Sequence, residues 1–138
     1  MQVTQVSAFL ENRPGRLLHL MHVLAEAQIN LIAHEIVDAS DFGIVHMLVD
    51  SPRRALDAIR RAGLACSAAT VLQVTVPDEP GAFVEKILKP LAEARINIEY
   101  SYVCGVSPSG GVRIVLKVDD IARGEKALAA SQPKDLSS

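Results

Sequence analysis

Tryptophan is absent, and Phe and Tyr make up only 4% of the chain. No row of aromatic rings is available to stack unpaired bases, as RNA-binding sheets require. A dominant charge is missing as well: 14 Lys and Arg balance 16 Asp and Glu for a formal net charge of −2, and basic residues form no long run. Nucleic acid is therefore not an expected partner. No apolar stretch approaches the ~20 residues of a spanning helix, and MQVTQVSAFLENRPG lacks a basic segment followed by a continuous apolar one. The expectation is no membrane partner and a cytoplasmic location. The two cysteines, Cys66 in LACSA and Cys104 in YVCGV, are not spaced as a pair and read as small buried hydrophobes in a reducing compartment.

Signatures of catalysis are equally lacking. GxSxG, HExxH, GxxxxGK[ST] and the dinucleotide GxGxxG do not occur. No catalytic residue, no cofactor and no enzymatic activity are expected. Among the four histidines, His34 and His46 come nearest to a metal site. They would be cross-strand neighbours if the intervening hairpin turned about Ser40, but no carboxylate or thiol completes the set in sequence, so no metal centre is assigned.

What the chain does have, it has twice. LENRPGRLLHLMHVLAEAQINL (residues 10–31) returns as VPDEPGAFVEKILKPLAEARINI (76–98), each with a PG turn and an LAEA-x-IN helix end. Pro14 and Pro80 are 66 residues apart, Leu24 and Leu91 67, and Val49 and Val118 69. One residue is thus inserted in the helix of the second copy and two in a hairpin. A period this long describes one whole α/β unit per copy, not a solenoid repeat. Modules are expected at 1–69 and 70–138, each near the lower size limit for an independent core. The 49% hydrophobic content makes that core aliphatic.

In copy one, residues 3–10 read as a strand. Asn12 is placed to cap a helix over about 14–28, with Leu17, Leu18, Met21, Leu24, Ala25 and Gln28 along one stripe. Strands at 31–37 and 43–49 form a hairpin through 38–42. Ser51 then caps a helix over 52–62 that ends at Gly63, and a weaker strand follows at 65–69. The order is βαββαβ, a ferredoxin-like α+β module whose helices lie on one face of an antiparallel sheet. Copy two repeats it with strands at 71–76, 96–104 and 112–118 and helices at 80–94 and 121–130. Pro90 should bend its first helix. The tail SQPKDLSS offers a weak or missing last strand. The copy-one hairpin is apolar on both faces, with Ile44 and Leu48 on one and Val45, Met47 and Val49 on the other, which implies a second covering surface.

NRPG with AQINL, and DEPG with ARINI, resemble the turn and helix end of the ACT domain family. Two such units filling residues 3–130 look like a stand-alone tandem ACT protein. The resemblance implies a regulatory module that binds a small ligand, commonly an amino acid, beside the loop from strand one to helix one, where modules or subunits meet. The positions it points to are Asn12, Arg13, Pro14, Gly15, Arg16, Leu17 and Asn30 in copy one, and Asp78, Pro80, Gly81, Ala82 and Asn97 in copy two. It also implies a homodimer or docking on a metabolic enzyme. Two other readings stay open: a regulatory small subunit like that of acetohydroxyacid synthase, and a ligand-free interaction module.

The loop chemistry supports a receptor without the family. Unpaired amides and the dipole at a helix start attract a carboxylate, and glycine leaves main chain accessible. Copy one is cationic there (Arg13, Arg16) and copy two anionic (Asp78, Glu79), so the first loop is expected to favour a carboxylate and the second an ammonium group. Asn12 and Asp78 are also adequately explained as helix caps, and Asn30 and Asn97 as turn residues.

Overall fold

The computed structural model describes residues 1–132. The expected weakness of the last strand concerns the tail, most of which (133–138) lies outside the described residues. The chain runs β1 (Gln2–Glu11), α1 (Arg16–Glu26), β2 (Leu31–Ala39), β3 (Phe42–Val49), α2 (Pro52–Arg61), β4 (Ala65–Val76), a π-helical turn (Val84–Leu88), α3 (Lys89–Glu93), β5 (Ile98–Val106), β6 (Val112–Val118) and α4 (Ile121–Leu128), with a 3₁₀ turn at Ala129–Ser131. These elements form two compact units: Thr4–Ala69, and Met1–Val3 together with the chain from Thr70 onward. Each is an α+β ferredoxin-like module.

In the Thr4–Ala69 unit, β3 lies antiparallel between β1 and β2, with Ala8 opposite Val45 and Ile36 opposite the same Val45. Val6, Ala8, Leu10, Val45, Met47 and Val49 point to one face. They form a single apolar core there with Leu20 and Leu24 of α1 and Ala55 and Ile59 of α2. The alternation of the strands and the 3–4 spacing of the helices make this face inevitable. On the reverse face Leu48 is buried and Ile44 half-buried.

In the second unit β6 lies between β4 and β5, and Val74, Val76, Ile114, Leu116 and Val118 meet Ile87, Leu91 and Leu128. Beside β4 lies the start of β1, and Gln73 N donates to the Met1 carbonyl at 2.7 Å. Residues from the other end of the chain thus take part in this unit.

The copies repeat fine detail. Gln28 and Arg95 both adopt the left-handed conformation (φ 58° and 57°). Ile29 N and Ile96 N then return to the carbonyls of Leu24 and Leu91, closing each helix. Arg54 and Arg123 donate to the carbonyls of Ala27 and Ala94. Gly63 (φ 80°) ends α2 as expected. Ser51 precedes α2 but makes no side-chain cap bond, whereas Asp120 accepts from Arg123 N at 3.0 Å.

Two local expectations are corrected. The hairpin turns on Ser40 and Asp41 alone, because Ser40 takes φ 69° and its amide donates to Asp38 Oδ1. His34 therefore faces Met47 and His46 faces Glu35, so the two imidazoles are on opposite strand faces and cannot share an ion. Among the described residues no group of three or more His, Cys, Asp or Glu could hold a metal. The extra residue of copy two is absorbed in the π turn directly before Pro90, which then sits in the first turn of α3. Proline supplies no amide to the Lys86 carbonyl, and Ser131 Oγ donates to it instead at 2.9 Å. The strand-like character of 63–76, with no linker between the copies, is met by one continuous strand, β4.

Candidate functional site: a paired loop cavity

Pro14 and Gly15 occupy the middle of a turn from Arg13 to Arg16, closed by Arg16 N on the Arg13 carbonyl at 3.4 Å. Gly15 has φ 87° and ψ −12°, the third-residue conformation of a type II turn. Gly81 has φ 82°. A Cβ on either glycine would meet nothing within 4 Å, so left-handed geometry, not close approach, demands glycine here. Helix one accordingly starts at Arg16 with Gly15 before it, and Asn12 does not cap it. Instead Asn12 Nδ2 donates to Asp38 Oδ1 (3.2 Å) and the Ser40 carbonyl (3.3 Å), while Asn12 N donates to the Asp41 carbonyl (3.0 Å). These bonds hold the loop to the β2–β3 turn. Asp78 does not repeat them: the carboxylates of Asp78 and Glu79 make no hydrogen bond or ion pair among the described residues.

The amides at the helix starts are available. Those of Leu17 and Leu18 in copy one, and of Phe83 and Val84 in copy two, have no acceptor among the described residues, while His19 N and Glu85 N begin the regular series on Gly15 and Gly81.

Beside each loop lies a cavity, and every copy-one lining position except Arg16 has its equivalent in the copy-two lining. In copy one it is about 100 Å³, bounded by Leu10–Arg13, Arg16 and Leu17 on the loop side and by Ile36, Gly43 and Val45 of the sheet. In copy two it is about 390 Å³, bounded by Val76–Glu79, Phe83, Ser101–Val103, Val112 and Ile114. The cross-strand pairs Ile36–Val45 and Val103–Ile114 make the correspondence explicit.

The charges differ as the sequence reading expects, with one addition. Glu11 stands beside the cationic loop, with Arg13 Nε at 3.1 Å and Arg16 Nη2 at 4.0 Å from its carboxylate, so the positive charge is partly neutralised. Pro77 replaces Glu11 in copy two, and among the described residues neither Asp78 nor Glu79 makes an ion pair.

Asn30 and Asn97 do not join either site. Asn30 N donates to Asp50 Oδ1 and Asp50 N to the Asn30 carbonyl, and Asn97 and Asp119 repeat the exchange. Asn30 precedes β2 at the end opposite the turn that Asn12 holds, about 26 Å away at ~3.3 Å per strand residue. Sequence reasoning missed the sheet side of each cavity, formed by Ile36, Val45, Tyr102, Val103 and Ile114. The apolar character of both hairpin faces was the available signal.

Two further features lie off the loops. On the β1–β3 face away from the helices, Ser7 Oγ lies 2.9 Å and Gln5 Nε2 3.2 Å from His46 Nδ1, all three residues being buried. Burial lowers the His46 pKa and raises that of Glu35 opposite it. Burial likewise raises the Cys104 thiol, against the opposing charge of Arg113. A cavity of about 600 Å³ in copy two shares Val76–Asp78 and is otherwise bounded by Thr75, Lys86, Ser109–Gly111 and Ala130–Gln132. Much of its polar lining is already engaged: Ser131 donates to the Lys86 and Leu128 carbonyls, the Gln132 amide pairs with the Thr75 backbone, and Ser109 bonds Ser107.

No helix among the described residues is long and apolar enough to cross a membrane. No curated protein matches the sequence. Among solved structures, a protein from Bacteroides thetaiotaomicron is 32% identical with a TM-score of 0.86, the match covering 94% of this chain and 88% of that one. The ligand-free regulatory subunit of aspartate kinase from Thermus thermophilus shares the fold at 18% identity and a TM-score of 0.66, covering 95% and 93%. The aspartokinase α and β subunits do so at 14% identity and 0.58, covering 94% and 95%. The family model for the ACT domain pair, a regulatory domain type, matches residues 1–132. With two ferredoxin-like modules, a glycine turn opening the first helix of each and a model match over nearly its whole length, the chain belongs to the ACT domain pair family.

Proposed function

We propose that this protein is a non-catalytic sensor of a free amino acid, bound at the loop between the first strand and first helix of a module. The observation that carries the reading is the cavity of about 390 Å³ beside Asp78. One wall offers two carboxylates without partners among the described residues, the helix start offers the amides of Phe83 and Val84, likewise without acceptors there, and the sheet side is largely apolar. A zwitterion fits this division: the ammonium group at Asp78 and Glu79, the carboxylate at the amides, and an aliphatic side chain against Phe83, Val103 and Ile114. The absence of catalytic signatures and the regulatory character of the family support a non-enzymatic role. Ligand binding regulates by favouring one arrangement of modules, subunits or a partner enzyme, and its leverage equals the difference in affinity between arrangements.

Isothermal titration with a panel of the common amino acids is the direct test. At least one should bind, and Asp78→Asn should weaken that binding at least tenfold, as expected when an ammonium loses a carboxylate partner worth ~1.5–3 kcal/mol. A panel with no binder, or a variant with unchanged affinity, overturns the reading.

A further inference from the structure

The two loop cavities are equivalent in position and unequal in size, and the inequality has a specific origin. Three lining differences add atoms to copy two: Phe83 stands where copy one has Leu17, Val112 where it has Gly43, and Ile114 where it has Val45. All three should make the second cavity smaller, yet it is about 390 Å³ against about 100 Å³. Other positions lose atoms in copy two, and the largest loss is at Arg16, which lines the first cavity and whose place is taken by the buried Ala82, outside the lining of the second.

Arg16 lines the small cavity and leans toward Glu11, with its side chain 28% exposed. Its Nε is buried with no hydrogen-bond partner. A guanidinium thus walls the small cavity, and copy two has only a methyl group at that position. The bonds from Asn12 to Asp38 and Ser40 further hold the copy-one loop against its hairpin, while Asp78 leaves the other loop untied.

We propose that this chain takes one ligand, not two: the loop site of copy two is open, and Arg16 plugs its counterpart in copy one. The proposal rests on the amino-acid-binding reading above and adds the selectivity between copies. An ordinary duplication would carry two like sites; here one module is the receptor and the other carries the same turn in closed form.

The test uses the full chain, ¹⁵N-labelled, titrated with whichever amino acid of the panel gives the largest heat. In the wild type the amide resonances of Gly81–Val84 should shift and saturate while those of Gly15–Leu18 stay in place, with calorimetry giving one ligand per chain. Ala82→Arg should weaken binding at least tenfold, and Arg16→Ala should bring the Gly15–Leu18 amides into play. The dispersion of each spectrum reports whether a variant has folded, and the wild-type titration stands whether or not Ala82→Arg does. Co-saturation of both loops in the wild type, or silence of the copy-one loop in a folded Arg16→Ala protein, overturns the plug while leaving the sensor reading intact. Absence of any shift with every amino acid overturns both.

Discussion

Copy one and copy two share their cores and helix ends nearly position for position and differ at the loops and on the reverse sheet face. Leu20 matches Ile87, Leu24 matches Leu91, and Ile59 matches Leu128, all essentially inaccessible. Away from the helices the pattern breaks. Gln5, Ser7 and His46 form a buried polar cluster where copy two has Val71, Gln73 and Val115. At the loops copy one is tied and partly charge-compensated, and copy two is open and acidic. Duplication constrains what must pack, because a change of even one methylene is felt in a close-packed interior, and leaves the loop and the reverse sheet face free to diverge. The fold is held in common by both copies, and the proposed receptor role rests on what differs.

The equivalence of the two cores can be broken most forcefully by truncation. Leu20→Ala and Ile87→Ala should each cost about 2–5 kcal/mol in denaturant unfolding, the usual range for deleting a buried aliphatic side chain. A much smaller cost on one side would show that one core is loosely packed. Next come the turn glycines. Gly15→Ala and Gly81→Ala each place a Cβ in the left-handed region and should cost about 1–2 kcal/mol, with matched values if the turns are truly alike.

A smaller effect separates the copies. Ser131→Ala removes the donor to the Lys86 carbonyl and should cost about 1 kcal/mol. Replacing Pro90 by Ala restores an amide, so the loss should vanish in that background; an unchanged loss would disconnect Ser131 from the proline.

The smallest difference is in acid response. His46 is neutral in the fold and its pKa is lowered by burial, so between its unfolded value, near 6.5, and its lower folded value the unfolded chain binds more protons and stability falls as pH falls. Glu35 has the opposite sign: its folded pKa is raised, so stability falls as pH rises above 4.5 toward that value. His46→Val, which installs the copy-two residue, should flatten the fall in melting temperature between pH 7 and 5. A slope identical to wild type would remove His46 from the account.

Much of this is legible in the sequence. The repeat, the βαββαβ order and the apolar stripes follow from spacing alone, since packing a helix on a sheet leaves little freedom in which residues face inward. What is not legible turns on single residues. Asn12 has the look of a cap because Asn in front of a helix usually is one. The Pro-Gly pair is the better signal, since a type II turn places Gly at φ > 0 and moves the helix start on along the chain. The His34–His46 pairing fails by half a residue in the turn centre, and a period of two converts such an error into opposite faces. Pro90 has the sequence context of a helix bend, but the neighbouring insertion supplies a wider turn, and an insertion has no preferred location in sequence. The loop cavities are visible in sequence from the loop side only, because their sheet walls come from residues up to 38 positions away in the chain.

The placement of Met1–Val3 beside β4 carries a practical corollary. These three residues leave the ribosome long before Gln73 and its neighbours, yet their resting place does not exist until that later segment has been synthesised. A fragment beginning at residue 70 would present the raw hydrogen-bonding rim of β4 to any passing strand, an invitation to self-association. A bulky fusion joined directly to Met1 would fall on the seam of a structural element. Dissecting the two halves for separate study therefore means carrying the first three residues along with the second.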